Sequence, residues 1–127
     1  MPSLFELLGG QKIGYVHGNQ VEQSGSVKTE AVTLNEAAGR VVTNTAALNA
    51  DATAVFTVNN NLVTNEDVVV ACIGPSSTSG KYQASVVKVA DNSFDIGLTN
   101  FAGSPASEAV EINFVVIKSE VGKPATN

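Results

Sequence analysis

Hydrophobic and polar residues alternate most regularly in the C-terminal third of the chain, across residues 80–118. One alternating run extends from Phe94 to Leu98, and a second extends from Val110 to Val116. A period of two residues is typical of a strand with one buried face. Both runs are therefore predicted to be strands that contribute one face to the core.

A hairpin is predicted at Asp91-Asn92, which separates the first alternating run from the apolar residues 86–90. Asp and Asn tolerate the left-handed backbone that a tight hairpin requires. We therefore expect three consecutive antiparallel strands to form the centre of the core. The alternation changes phase at Val86-Val87, which predicts a β-bulge there.

Shorter apolar runs lie upstream, around residues 30–34, 40–43 and 54–58, with turn-forming residues between them. Seven to eight short strands separated by turns predict an all-β fold. The expected architecture is an antiparallel β-sandwich or a jelly-roll-like small barrel, with an extended N-terminal arm. Aromatic residues make up only 6% of the chain, and the expected large core residues are Phe56, Phe94, Phe101 and Phe114.

The run from Val68 to Ile73 is apolar at every position, so it has no polar face. A strand of this kind either lies centrally or has its outer face covered by a partner. The cover is either a loop or arm of the same chain or a neighbouring subunit. Val69 and Ala71 are the interface candidates in this run.

Three regions differ in composition: residues 1–28, an arm; residues 29–118, the β-sandwich domain; and residues 119–127, a flexible polar tail. The arm contains an apolar patch, whose burial is expected either on its own domain or on a neighbouring copy. The patch supplies four further candidate interface residues, Leu4, Phe5, Leu7 and Leu8.

The formal net charge is −5, from 12 acidic and 7 basic residues, and the basic residues are scattered. Nucleic acid is an unfavourable partner for such a surface, because phosphate binding needs clustered Lys and Arg. An anionic membrane surface is disfavoured for the same reason. We expect no secretory signal or membrane span, because residues 1–8 lack a cationic start and no long apolar run follows.

Residues that carry catalytic chemistry are sparse. His17 is the single histidine and Cys72 the single cysteine, so neither a zinc site nor a catalytic triad is expected. Cys72 lies in an apolar run and is expected to be a small core residue. The polar residues 59–61 and 65–67 suit a capped turn better than a calcium loop. We therefore expect no cofactor, no metal and no enzyme activity.

A resemblance to a known class of proteins is carried by strand and turn residues. The matching stretches are residues 32–43, 54–60, 67–70, 89–100 and 107–118, so the resemblance covers about residues 29–118. These stretches resemble small virion proteins of tailed bacteriophages, especially marine ones. The shared pattern contains no catalytic signature.

This resemblance implies a structural role on the phage particle. The favoured expectation is a head decoration (cement) protein that binds major capsid protein subunits, often as a homotrimer. It would be made in the host cytoplasm and located on the outer surface of the head. The alternative is a receptor- or glycan-binding knob of a fibre, using the loops at residues 74–80 and 102–107. A small jelly-roll hydrolase or lyase is the third and weakest expectation.

Overall fold

The computed structural model describes residues 18–119, and these residues form an all-β fold, as the alternating pattern predicts. Eight strands lie in this part of the chain. Their bounds are β1 Gln20–Glu22, β2 Val32–Thr33, β3 Ala38–Val42, β4 Thr53–Asn59, β5 Val68–Ile73, β6 Tyr82–Ala90, β7 Ser93–Asn100 and β8 Glu111–Ile117.

The strands form two four-stranded sheets, a first sheet in the order β1-β3-β8-β5 and a second in the order β2-β4-β7-β6. β1 pairs parallel to β3 and β2 pairs parallel to β4, whereas the other pairs are antiparallel. The sheets of the β-sandwich are therefore mixed, not purely antiparallel as expected. Among the described strands, β6 and β7 are the consecutive pair that share a hairpin.

The expectation of three consecutive antiparallel strands is wrong for β8. This strand pairs with β3 and β5 in the first sheet, while β7 lies in the second. The connection of residues 101–110 crosses from one sheet to the other. Alternation indicates which residues of a strand face the core. In a sandwich, the strands of both sheets show the same alternation, because each sheet buries one face. The pattern therefore does not assign a strand to a sheet.

The core lies between the sheets and is mainly aliphatic. Phe94 of β7 and Phe114 of β8 meet across it, with ring centroids 5.1 Å apart and ring planes tilted by 59°. Phe56 is also buried, but Phe101 is 55% exposed, so its assignment to the core is wrong. Phe101 follows the last residue of β7, where the chain has already left the sheet.

The bulge predicted at Val86-Val87 is confirmed by a register shift between Val86 and Lys88 against β7. The bulge turns Val87 outward, where it is 54% exposed and lies above Gly97. A Cβ at position 97 would lie 3.1 Å from Val87 Cγ1. Glycine at this position therefore provides the space that the Val87 side chain occupies. In the hairpin, Asn92 has φ 66°, as the turn prediction requires.

Residues 18–28 are part of the folded domain, which moves the domain boundary that we placed at residue 28. β1 is hydrogen-bonded to β3, and the loop after it is closed by buried Gln23. The Gln23 amide donates to Lys28 O and Glu30 O, both at 2.8 Å. The remainder of the predicted arm, residues 1–17, and residues 120–127 of the predicted tail lie outside the described residues.

Lys28 is a buried cation at the centre of this loop, with 4% of its surface exposed. Its Nζ donates to Asn44 O at 2.5 Å, Ala46 O at 2.7 Å and Glu108 O at 3.0 Å. Burial lowers the pKa of Lys28, and the nearby Glu108 charge opposes that effect. The ammonium thus joins three loops through their backbone carbonyl groups, of which Asn44 O also accepts from Thr43 Oγ1 at 3.1 Å.

We predict that Lys28→Met lowers the free energy of unfolding by about 3 kcal/mol, because Ala46 O and Glu108 O lose the Lys28 donor and a buried carbonyl without a donor costs about 1–3 kcal/mol. Removal of the buried charge offsets part of that loss. Lys88→Met, at an exposed position of β6, is the matched control and should change stability by less than about 0.5 kcal/mol. Urea unfolding of both variants measures the difference, and equal stabilities would contradict the anchoring role.

Candidate functional site

The outer face of the first sheet carries adjacent apolar side chains from three strands. The register places Val68 opposite Ile117, and Val70 opposite Val115, which in turn lies opposite Ala38. Directly opposed side chains in a sheet are about 5 Å apart and touch. We name the resulting patch the β5–β8 surface, and it consists of Ala38, Val68, Val70, Cys72, Val115 and Ile117.

The β5–β8 surface is open to solvent at its β5 side. Val68 is 53% exposed, Val70 47% and Ile117 42%. β5 ends the strand order of its sheet, so among the described residues no strand pairs with its outer edge. An exposed apolar patch beside an unpaired strand edge is a typical protein-binding feature. This arrangement makes the β5–β8 surface the leading candidate site.

A polar group bounds the surface on the side where β8 begins. Arg40 Nε donates to Asn113 Oδ1 at 2.8 Å, and Arg40 lies 3.7 Å from the Glu111 carboxylate. Glu111 Oε1 also accepts from the Ser76 N–H at 3.1 Å. The outer face of the first sheet is therefore polar at one end and apolar at the other.

The opposite boundary is fixed by Asp67, whose side chain is fully buried. Asp67 accepts hydrogen bonds from Thr64 N at 2.9 Å, Ser119 N at 3.0 Å and Lys118 Nζ at 2.5 Å. Burial alone would raise the pKa of Asp67, but these donors, with Lys118 the strongest, lower it to about 2. Asp67 thus joins the start of β5 to the end of β8, directly beside Val68 and Ile117.

The outer face of the second sheet is mainly polar. Thr53 and Thr99 are hydrogen-bonded through their hydroxyls at 2.7 Å, and Thr57 donates to Asp95 at 2.7 Å. Val55 and Val87 are its exposed apolar side chains, at 43% and 54% exposure. The two faces of the sandwich are therefore chemically different, and the first sheet carries the larger apolar patch.

Two of the candidate interface residues face the core. Val69 is 8% exposed, and Ala71 is half-buried and packs against the core. Both side chains therefore lie on the core side of β5, and the outward residues of this strand are Val68, Val70 and Cys72. Because every position of the run is apolar, the sequence does not reveal its phase, and the preceding Asp67 gives no warning because its burial is evident only in the structure.

The other four candidates, Leu4, Phe5, Leu7 and Leu8, lie outside the described residues. Cys72, expected in the core, is instead exposed on the β5–β8 surface. The cause of this error is the same, because in an entirely apolar run the sequence does not show whether Cys72 or its neighbour Ile73 faces the core.

A second cluster lies near the loops after β5 and β7, the loops predicted for a receptor-binding knob. Glu108 accepts from Tyr82 Oη at 2.6 Å and forms an ion pair with Lys81 at 2.9 Å. The hydrogen bond from Tyr82, followed by that from Lys81, lowers the pKa of Glu108. Burial, and then Glu108, raise the pKa of Tyr82. Exposed Phe101 adjoins the cluster, because its N–H donates to Lys81 O at 2.9 Å.

The polar residues considered for calcium are bound to the protein itself. The Asn60 side chain donates to Glu36 O at 2.7 Å and accepts from Leu62 N at 2.9 Å. With Asp67 bound to Thr64 N, this matches the capped turn that we favoured. Within residues 18–119, no three His, Cys, Asp or Glu side chains form a potential metal site. His17 lies outside the described range.

No helix within the described part of the chain has the length and apolar character that crossing a bilayer requires. Comparison with known proteins adds no identification, because the chain matches no family model, no curated protein and no solved structure. The candidate function therefore depends on the surface chemistry of the fold and on the resemblance of the strand and turn residues.

We predict that Asp67→Asn lowers the free energy of unfolding at pH 7 by about 2 kcal/mol, because a charge-assisted hydrogen bond to Lys118 is lost. The folded pKa of Asp67 lies below its ordinary value of 3.8, so its contribution is complete above that value. The contribution disappears as the pH falls toward 2, because the folded protein then protonates Asp67.

Unfolding measured by urea at a series of pH values tests this prediction. The difference in the free energy of unfolding between the native protein and Asp67→Asn should become smaller as the pH falls below about 4. Glu66→Gln removes a neighbouring exposed carboxylate and is the matched control. It should change the free energy of unfolding by less than about 0.5 kcal/mol. A pH-independent difference for Asp67→Asn would contradict the ion-pair explanation.

Proposed function

We propose that this protein is a head decoration (cement) protein of a tailed bacteriophage, which binds major capsid protein subunits through the β5–β8 surface. The observation that carries the proposal is the contiguous apolar patch on the outer face of the first sheet, beside the unpaired edge of β5. The resemblance of residues 29–118 to small phage virion proteins supports the same assignment.

The contrast between the two outer faces supports a docking role with a defined orientation. The apolar end of the first sheet would be buried against the capsid, while the hydroxyl-rich face of the second sheet would remain in solvent. Burial of apolar surface contributes about 25 cal/mol per Å², so a modest patch supplies useful affinity. The unpaired edge of β5 offers backbone hydrogen bonds in addition.

The proposed mechanism involves no chemical reaction. Each copy adds interface area across neighbouring capsid subunits, and many copies on one shell act together. Self-association as a homotrimer belongs to this proposal, because linked copies bind a symmetric site with higher avidity than a single copy. The protein would be located on the outer surface of the phage head.

The copy number in purified source particles tests the assignment, measured by quantitative mass spectrometry against the most abundant structural protein. Shell decoration requires many copies, on the order of hundreds per particle, because the effect is summed over the shell. A value near about a dozen would favour a fibre or tail location instead. Absence from particles would contradict a virion role altogether.

The docking surface is tested by exchanging two exposed valines for threonine. We predict that Val68→Thr with Val70→Thr weakens binding to capsids lacking the protein by about 2 kcal/mol, roughly 30-fold, because two methyl contacts are replaced by hydroxyls. Val55→Thr with Val87→Thr makes the same exchange on the second sheet, at similar exposure, and should leave binding unchanged. Equal effects of the two double variants would exclude the β5–β8 surface as the capsid contact.

A receptor- or glycan-binding knob is the second candidate function. It is favoured by exposed Phe101 beside the polar Lys81–Glu108 pair, since aromatic and charged groups together suit sugar recognition. Phe101→Ala should abolish binding to cell-surface glycans under this alternative and leave capsid binding unchanged. The copy number separates the two candidates, because a fibre tip needs few copies.

A further inference from the structure

A cleft lies at the start of β4, where residues 26–29 and residues 46–49 both line it. Its volume is about 450 Å³, within the range of about 300–1,000 Å³ that is typical of binding pockets. Short side chains leave this space open above buried Leu48 and Ala54. We name it the alanine cleft, and its apolar lining consists of Val27, Ala46, Ala47, Leu48, Ala52 and Ala54.

The alanine cleft favours a neutral occupant. Among the described residues, Lys28 is the charged residue that lines it. The three ammonium donors of Lys28 are already bound to the carbonyl groups of Asn44, Ala46 and Glu108. A charged ligand group would therefore lose its water in the cleft without gaining a free partner, which is costly. An apolar group meets no such penalty.

One wall of the cleft is an unpaired strand edge. Asn100 N donates to Ala52 O at 3.0 Å, so the even-numbered residues of β4 bond to β7 and the backbone groups of Thr53 and Val55 face the other way. Among the described strands, β2 covers that side of β4 at Val58 and Asn59 alone. Free backbone donors and acceptors suit a segment of polypeptide. The favoured occupant is therefore an apolar side chain carried by a polypeptide loop.

Phe101 is a side chain of this kind. It is 55% exposed, whereas the other aromatic residues of the described range are buried. The small residues 102–104 follow it, and a Cβ at position 103 would meet no described atom within 4 Å. The loop therefore projects from the fold. Burial of an aromatic ring removes about 150–250 Å² from water, so an exposed ring is a strong source of affinity for a matching cleft.

Phe101 does not fill the cleft of its own chain. It continues β7, and its N–H donates to Lys81 O on the side of β6, so β4 lies between Phe101 and the cleft. The ring is absent from the lining of the cleft. Both features nevertheless lie at the same level of the second sheet, because Asn100 is bonded to Ala52. The ring and the cleft thus lie at the same end of the sheet and on opposite sides of the β4–β7 pair.

This placement permits a repeated contact between copies. A contact between two different patches of identical chains is heterologous, and it produces either closed rings or open filaments. Because the ring and the cleft lie at the same level, each copy joins the next without a displacement along the strands. Such an arrangement favours a closed ring over a filament.

We propose that Phe101 of one copy inserts into the alanine cleft of a neighbouring copy, so that copies of this chain associate head to tail. Self-association belongs to the proposed function, and this inference assigns it to two surfaces. It stands on the cleft, the free edge of β4 and the exposed ring, and it leaves the β5–β8 surface available for a different partner.

The absence of tryptophan from the chain supplies a reporter. Phe101→Trp keeps an aromatic ring at the position and gives the full chain a single indole. We expect its fluorescence to shift to longer wavelength as the protein is diluted, because dissociation returns the indole to water. Emission that is solvent-exposed at every concentration would overturn the proposal. Emission that is shielded at every concentration would place the ring against its own chain and would also overturn it.

Two charge substitutions test the partners of the contact. Phe101→Glu alters the ring, and Ala47→Glu places a carboxylate in the cleft at an exposed position. We expect each to raise the dissociation constant of self-association about 30-fold in sedimentation equilibrium, the loss that one buried aromatic side chain predicts. Leu62→Glu, on a 44% exposed side chain beyond the other end of β4, is the matched control and should change nothing.

A mixture of the two variants tests the head-to-tail arrangement. The Ala47→Glu protein retains its ring and the Phe101→Glu protein retains its cleft, so one intact contact forms between them. We expect each variant alone to sediment as the 13.0 kDa chain and the equimolar mixture to reach twice that mass. A mixture that remains monomeric, or single variants that still associate, would overturn the proposal.

These measurements use the free protein and do not depend on capsids. A native protein that stays monomeric up to about millimolar concentration would overturn the inference and leave Phe101 to the glycan-binding alternative, whereas the copy number in particles would still decide the proposed function. Absence of the protein from particles would contradict the virion role, while the mixture would still decide whether Phe101 and the alanine cleft join copies.

Discussion

The alternation of β8 is the constraint on which the rest of this structure depends. Its inward residues Ile112, Phe114 and Val116 are 0–4% exposed and fill the space between the sheets. Its outward residues include Val115 and Ile117, which form the centre of the β5–β8 surface. Because β8 pairs with strands on both sides, a shift of one residue would exchange these two sets, and the core and the β5–β8 surface would be lost together.

Polar side chains at the strand ends hold the two sheets in the arrangement that β8 requires. The Asn100 amide, fully buried at the end of β7, donates to Leu48 O at 2.9 Å and to Ser104 O at 3.1 Å. Lys28 joins three loops through backbone carbonyls in a similar way, and Asp67 joins the start of β5 to the end of β8. All three groups satisfy the backbone of irregular segments, which a small sandwich must do where its strands end.

The functional proposal follows from the difference between the two outer faces. One is mainly polar, with Val55 and Val87 as its exposed apolar side chains, whereas the other exposes valine and isoleucine on two adjacent strands beside the unpaired edge of β5. Such an edge is a liability for an isolated protein unless something covers it. Burial of this surface against the capsid, as proposed, would provide that cover.

The sequence by itself determined the all-β class, the hairpin at Asp91-Asn92, the bulge at Val86-Val87 and most inward residues of β4, β7 and β8, because periodicity and turn chemistry are local properties. Only the tertiary structure decided that β8 joins the first sheet, that β1 and β2 pair in parallel, and that Lys28 is buried. It also decided the candidate site: in the entirely apolar β5, the pairing with β8 assigns Val69 to the core and Val68 and Val70 to the surface. A local pattern gives the period of a strand, but its phase and its partners are fixed by contacts between residues far apart in the chain.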